Sequence, residues 1–70
     1  MFEFPKMSLN AIRINAGMSQ RKAANELGIT PETLRSYEKG KTSPTIEMIC
    51  KMEKLYQFPK DYIFLPSSSL

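Results

Sequence analysis

Apolar residues recur along this chain at three- and four-residue spacings, and no window sustains period-two alternation apart from Phe2 and Phe4 at the very start. Pro5, Gly17, Gly28, Gly40, Pro44, Pro59 and Pro66 punctuate segments of helical length. The pattern predicts an all-α fold of five helices. The first covers residues 8–16, with Ser8 as N-cap, Leu9 and Ile12 on one face, and Gly17 where a left-handed C′ residue belongs. The second covers 20–27, with Ser19 as N-cap, Met18 and Ala23 at the hydrophobic-staple positions, and Gly28 as the stop. The third has the clearest start. Thr30 caps it, Pro31 stands at N1 where its missing N–H costs nothing, Glu32 suits the helix dipole, and Ile29 and Leu34 form a staple. It runs to Glu38 or Lys39 and stops at Gly40. The fourth begins after Pro44, with Thr45 as cap and Ile46, Ile49, Cys50 and Tyr56 along one face. The fifth is short, with Phe58 ahead of Pro59 and Tyr62, Ile63 and Leu65 after it. The chain thus divides into an N-terminal arm (1–7), one domain (8–65) and a Ser-rich flexible tail (66–70).

The 70 residues leave room for one small domain. Domains of this size bury only about 60% of their unfolded surface, and disulfides, a metal or a partner chain commonly complete them. One cysteine, Cys50, and no histidine leave no internal disulfide, no common zinc site, no Ser-His or Cys-His nucleophile pair and no imidazole base. Metal, cofactor, small-molecule substrate and enzymatic activity are therefore not expected. A binding module is, completed by a second copy of itself. No leader of basic then apolar residues opens the sequence, and no apolar run approaches the roughly 18 residues of a membrane span. With an unpaired Cys50, which suits a reducing compartment, a cytoplasmic location without membrane partners is expected.

Charge sharpens the picture. Residues 1–45 hold seven basic and four acidic side chains, and residues 46–70 hold three of each, so the whole net +3 lies in the first two thirds. A modest excess of this kind suits a nucleic-acid surface and equally a solvated one. The second and third helices are joined only by Gly28 and Ile29. A short glycine-containing turn sets two helices at a steep angle in a helix-turn-helix, whose second helix can lie in the DNA major groove. Ala24 would face the crossing, and Leu27, Ile29 and Leu34 would fill the corner. An ordinary αα-hairpin inside a small bundle has the same local pattern.

Taken in order, Met18-Ser19-Gln20, Ala23-Ala24, Leu27-Gly28-Ile29-Thr30, Thr33-Leu34, Tyr37-Glu38-Lys39-Gly40-Lys41 and Pro44 resemble the helix-turn-helix domain of the phage Cro and cI repressors and the related Xre-type regulators. The resemblance extends from about Leu9 to Leu65, and it implies a compact five-helix, lambda-repressor-like domain that binds double-stranded DNA and controls transcription. It implies that Gln20 touches a phosphate and braces the recognition helix. It implies that Arg13 and Glu38 form an ion pair tying the first helix to the end of the third. It also implies that Lys39, Lys41, Thr42 and Ser43 follow the DNA backbone, together with Ser19 at the start of the second helix. Base reading falls to the exposed face of the third helix: Pro31, Glu32, Thr33, Arg35 and Ser36. Glu32 can accept from cytosine N4, and Arg35 can pair with guanine O6 and N7 or equally contact a phosphate. Leu34 and Tyr37 point to the core instead. The bland roles stay open: Gln20 as an exposed N1 residue, the lysines as solvated charge, Glu32 as a favourable charge at a helix N-terminus.

Some positions depart from the family pattern. Arg21 and Lys22 stand where acidic residues are common, against the helix dipole by a few tenths of a kcal/mol each, and read as an extended phosphate clamp or as plain surface. Gln57 stands where a C′ glycine is usual and strains or alters the link it occupies. Glu53 stands where a small apolar residue is usual, and if buried it needs a partner. Met48, Met52 and Tyr56 read as core or near-core. A symmetric homodimer is expected, with Tyr62, Phe64 and Leu65 at its interface and Phe2-Glu3-Phe4 as a second contact segment. The rival readings are a protein-interaction module on the same fold, such as an antitoxin or anti-repressor component, and the DNA-binding end of a longer repressor.

Overall fold

The computed structural model describes residues 7–64, the side chain of Phe64 excepted. The element order is β1 (Met7–Ser8), α1 (Leu9–Asn15), α2 (Gln20–Leu27), α3 (Pro31–Lys39), α4 (Ile46–Tyr56), a 3-10 turn (Lys60–Tyr62) and β2 (Ile63–Phe64). The helix starts follow from hydroxyl chemistry. The side chains of Ser8, Ser19, Thr30 and Thr45 each accept a hydrogen bond from the backbone N–H three residues on, at 3.1–3.2 Å. Such a cap satisfies one otherwise orphaned donor and contributes about 1 kcal/mol.

The helix ends are equally uniform. After each helix comes a left-handed residue: Gly17, Gly28, Gly40 and Gln57. The amide of the residue that follows returns to a carbonyl of the last turn: Met18 to Arg13, Ile29 to Ala24, Lys41 to Ser36 and Phe58 to Glu53. This is the Schellman closure. At Gly28, with φ +76°, it turns the chain from α2 into α3 within three residues. Gln57 makes the same turn without a glycine, at φ 54° and ψ 50°.

The core lies where the helices converge. It takes Leu9 and Ile12 from α1, Ala23, Ala24 and Leu27 from α2, Leu34 from α3, Met52 and Tyr56 from α4, and Phe58. Contact is most extensive between α2 and α3, then between α2 and α4. Ala24 is fully buried, and its small side chain lets helices approach closely. Met18 and Ile29 are half-buried against the core, each ahead of a helix, opposite the buried Ala23 and Leu34.

Two expectations need correction. No fifth α-helix forms: after Pro59 the chain makes one 3-10 turn, and Ile63 is then extended at φ −83° and ψ 123°. The six residues between Pro59 and Pro66 are too few for an independent helix, and Ile63 and Phe64 favour an extended backbone. That backbone finds a partner, since β2 pairs in parallel with β1, Met7 opposite Ile63 and Ser8 opposite Phe64. The buried face of α4 is also rotated from the expected one. Ile46 is 76% exposed and Ile49 and Cys50 are half-buried, while Met52 and Tyr56 are buried with Met48 packed against them. Ile46 precedes Met48 by two residues, about 200° around the helix. Tyr37, expected to point to the core, is half-buried and packs against it. Glu53 resolves simply: its Oε2 accepts from the Lys60 amide at 3.1 Å, and its Oε1 lies 4.0 Å from Lys60 Nζ. The Phe2–Phe4 contact segment, Leu65 and the tail at 66–70 lie outside the described residues.

Candidate nucleic-acid interface

The site is built around a buried cation. Arg13 on α1 donates from Nε to Glu38 Oε2 at 2.8 Å, from Nη1 to the Met18 carbonyl at 2.7 Å and from Nη2 to Asn10 Oδ1 at 2.7 Å. A longer bond runs from Nη2 to Glu38 Oε1 at 3.5 Å. The two side chains are 9% and 4% exposed, so both charges are almost fully desolvated. Gln20, the first residue of α2, donates from Nε2 to Glu38 Oε1 at 3.0 Å. One carboxylate near the end of α3 therefore receives α1 on one oxygen and α2 on the other. Arg13 also holds the α1–α2 link through Met18. A pair this deep adds little net stability over apolar packing, but losing one partner strands the other. Its consequence is geometric: the angle of α3 against α1 and α2 is fixed by charge-assisted bonds.

With the inner side of α3 locked, its outer side is free. Glu32, Arg35 and Lys39 are exposed, and Pro31, Thr33 and Ser36 are half-buried. Glu32, Arg35, Ser36 and Lys39 follow helical spacing and line a cleft of about 220 Å³ with Lys41 from the following loop. A wider opening of about 430 Å³ lies along Glu32, Thr33, Ser36, Tyr37, Thr42 and Ser43. A hydroxyl pair spans it, Ser36 Oγ to Thr42 Oγ1 at 3.0 Å, and ties the loop to the outer face of α3. Thr33, like Ser36, has its hydroxyl already engaged, sharing a 2.8 Å bond with the Thr30 cap.

At the start of α2, Ser19, Arg21 and Lys22 are exposed. The Ser19 hydroxyl accepts from the Lys22 amide and keeps its own proton to donate. Lys22 lies 3.9 Å from Glu26 one turn on, an exposed pair of little energetic weight. Tyr62 is half-buried against this chain's own core. Phe64 pairs through its backbone in β2. Two residues at the site escaped sequence reasoning. Asn10 stands three before Arg13 on α1, a helical spacing that brings the two together. Tyr37 enters the wider opening beside Thr42 and Ser43. Among the described residues no group of three His, Cys, Asp or Glu is placed to hold a metal ion, and no helix is long and apolar enough to cross a membrane.

Two short helices joined by a left-handed glycine, with a locked inner face and a polar outer face on the second, form a helix-turn-helix unit. Residues 9–63 match the helix-turn-helix family, and the chain belongs to it, in its Xre-type branch. It is 35% identical over 48 residues to the cryptic phage CTXphi transcriptional repressor RstR of Vibrio cholerae, covering 69% of this chain and 43% of that protein. It is 38% identical over 52 residues to the HTH-type transcriptional regulator PuuR of Escherichia coli (strain K12), covering 74% of this chain and 28% of that protein. The same figures hold for PuuR of Shigella flexneri. The chain thus spans less than half the length of these curated relatives. No solved structure matches it at a significant level.

Proposed function

We propose that this chain performs the operator recognition of a sequence-specific transcriptional repressor. Helix α3 enters the major groove of double-stranded DNA. Arg35 pairs with guanine O6 and N7, Glu32 accepts from cytosine N4, Ser36 and Thr33 offer hydroxyls, and Pro31 meets a thymine methyl. Ser19, Gln20, Arg21 and Lys22 hold phosphates, as do Lys39, Lys41, Thr42 and Ser43. Two copies bind a palindromic operator with half-sites about one helical turn, roughly 34 Å, apart. Tyr62, Phe64 and Leu65 lie toward the second copy.

One observation carries this reading. The Arg13–Glu38–Gln20 hub fixes α3 from behind while its outer face, lined by Glu32, Arg35, Ser36 and Lys39, stays open. A helix that reads bases needs this rigidity, because hydrogen bonds to base edges tolerate little misplacement. The names of the relatives, a phage transcriptional repressor and a transcriptional regulator, support the same role. Selection from randomised duplex DNA tests it. An inverted repeat is expected to be enriched. If no duplex is retained even at low salt, the chain is instead a protein-interaction module on this fold.

A further inference from the structure

The hub has a fourth member that the base-reading and phosphate-holding assignments leave unused. Asn10 is exposed on α1, and its Oδ1 receives Arg13 Nη2 at 2.7 Å. A guanidinium has donors only, so the amide atom that faces it must be the oxygen. The orientation of this amide is therefore set by chemistry. The NH₂ group, with two N–H donors, must point away from Arg13. It does so at the edge of a cleft of about 220 Å³ that Asn10 shares with Gln20, Arg35, Glu38 and Lys39.

The charge of this cleft suits an anion. Glu38 is its one carboxylate, and both oxygens are taken by Arg13 and Gln20. Arg35 and Lys39 supply two further positive charges. Arg35 and Lys39 also line the cleft on the outer face of α3, so these two side chains border both clefts. An anion seated here lies along the edge of whatever α3 reads, as a backbone phosphate does beside the major groove.

We propose that the Asn10 amide is a phosphate-binding group on α1, held in its donating orientation by Arg13. This assignment rests on the DNA-binding reading above. It makes the buried cation act at the surface: Arg13 touches no DNA, yet it fixes which end of Asn10 the DNA meets. A charge-assisted N–H···phosphate bond from a pre-oriented amide contributes to affinity for every sequence alike and to the register of the domain on the duplex.

The substitution Asn10→Asp separates the two ends of the amide. An aspartate still accepts from Arg13, so the thermal unfolding midpoint is expected to stay within a few degrees of the parent. The outward donors, however, become a repelling oxygen. Binding to a selected duplex is expected to weaken about tenfold or more. Asn25→Asp, an exposed site on α2 with the same charge change, is the control and is expected to weaken binding less than about threefold. A scan of single methylphosphonate substitutions, each removing one phosphate charge, should find one position that restores most of the Asn10→Asp loss. That same position should weaken the parent. If Asn10→Asp and Asn25→Asp weaken binding equally, or no methylphosphonate position restores Asn10→Asp, the assignment is overturned while DNA binding by the parent stands. A parent protein that retains no duplex at low salt overturns instead the reading on which it rests.

Discussion

The Tyr56 hydroxyl is buried among the described residues with no hydrogen-bond partner, close to the Arg13–Glu38 pair. Burial above all, then the nearby Glu38 carboxylate, pushes its pKa from 10.0 up to about 12, with Arg13 pulling the other way. In the unfolded chain the group loses its proton near the lower value, and in the folded chain near the higher. The stability tied to the protonated form is whole below pH 10 and is lost as pH rises from there through about 12. Tyr56→Phe removes both the unpaired hydroxyl and its titration. It is expected to raise stability at neutral pH by about 1 kcal/mol and to flatten the alkaline fall by about 2 kcal/mol, read by urea unfolding across the alkaline range. Glu38→Ala has the opposite sign. It leaves Arg13 buried without its carboxylate and is expected to cost about 3 kcal/mol, a large fraction of what so small a domain has.

Each helix is bounded by the same two devices, and their unequal quality can be measured. Gln57 makes without a glycine the turn that Gly17, Gly28 and Gly40 make with one. Gln57→Gly is expected to raise stability by about 0.5–1 kcal/mol, since a side chain in the left-handed region costs about that much. Gly28→Ala is expected to lose about 1 kcal/mol. An added Cβ there meets nothing within 4 Å, so the loss comes from backbone conformation alone and isolates that term. On α3, Arg35→Ala should change preference at one base pair by about 1–3 kcal/mol in competition binding, whereas Lys41→Ala on the loop should weaken all sequences alike. These boundaries were legible in the sequence because caps and glycine stops are local: Ser8, Ser19, Thr30, Thr45 and Gly28 act on neighbours within four residues. Ile46 was misread because a helical face is defined by what packs on it, and Met48, Met52 and Tyr56 meet the core from the other side. The missing fifth helix has the same origin. The partner of Ile63 and Phe64 is Met7–Ser8, more than fifty residues away, and no periodicity announces it. At the site, the residue types of the hub could be named from the family resemblance, and Asn10 reaches Arg13 by a local three-residue spacing, but its place at a cleft with Arg35 and Lys39 emerges only when α1 is folded against α3.

For the whole molecule the governing quantity is a modest charge, +3 on 70 residues, placed entirely in the first 45. With Arg21, Lys22, Lys39 and Lys41 each neutralising one phosphate as proposed, the slope of log affinity against log salt is expected to be about −3.6 per copy. Two copies on one operator give about −7. A measured slope near −7 with a two-to-one stoichiometry fits the symmetric complex, and a slope near −1 would remove the phosphate assignments. The short parallel ladder sets how this molecule comes apart. Ser8 belongs to two structures at once: it pairs with Phe64 in the ladder, and its hydroxyl caps α1 through the Ala11 amide at 3.2 Å. Opening of the C-terminal strand and fraying of the first turn of α1 are therefore expected to be coupled. In native-state hydrogen exchange the Ala11 amide should exchange together with those of Ile63 and Phe64, well ahead of the α2–α3 amides. Asn10 lies within that same turn, so the least protected part of the fold includes the start of the helix that carries it.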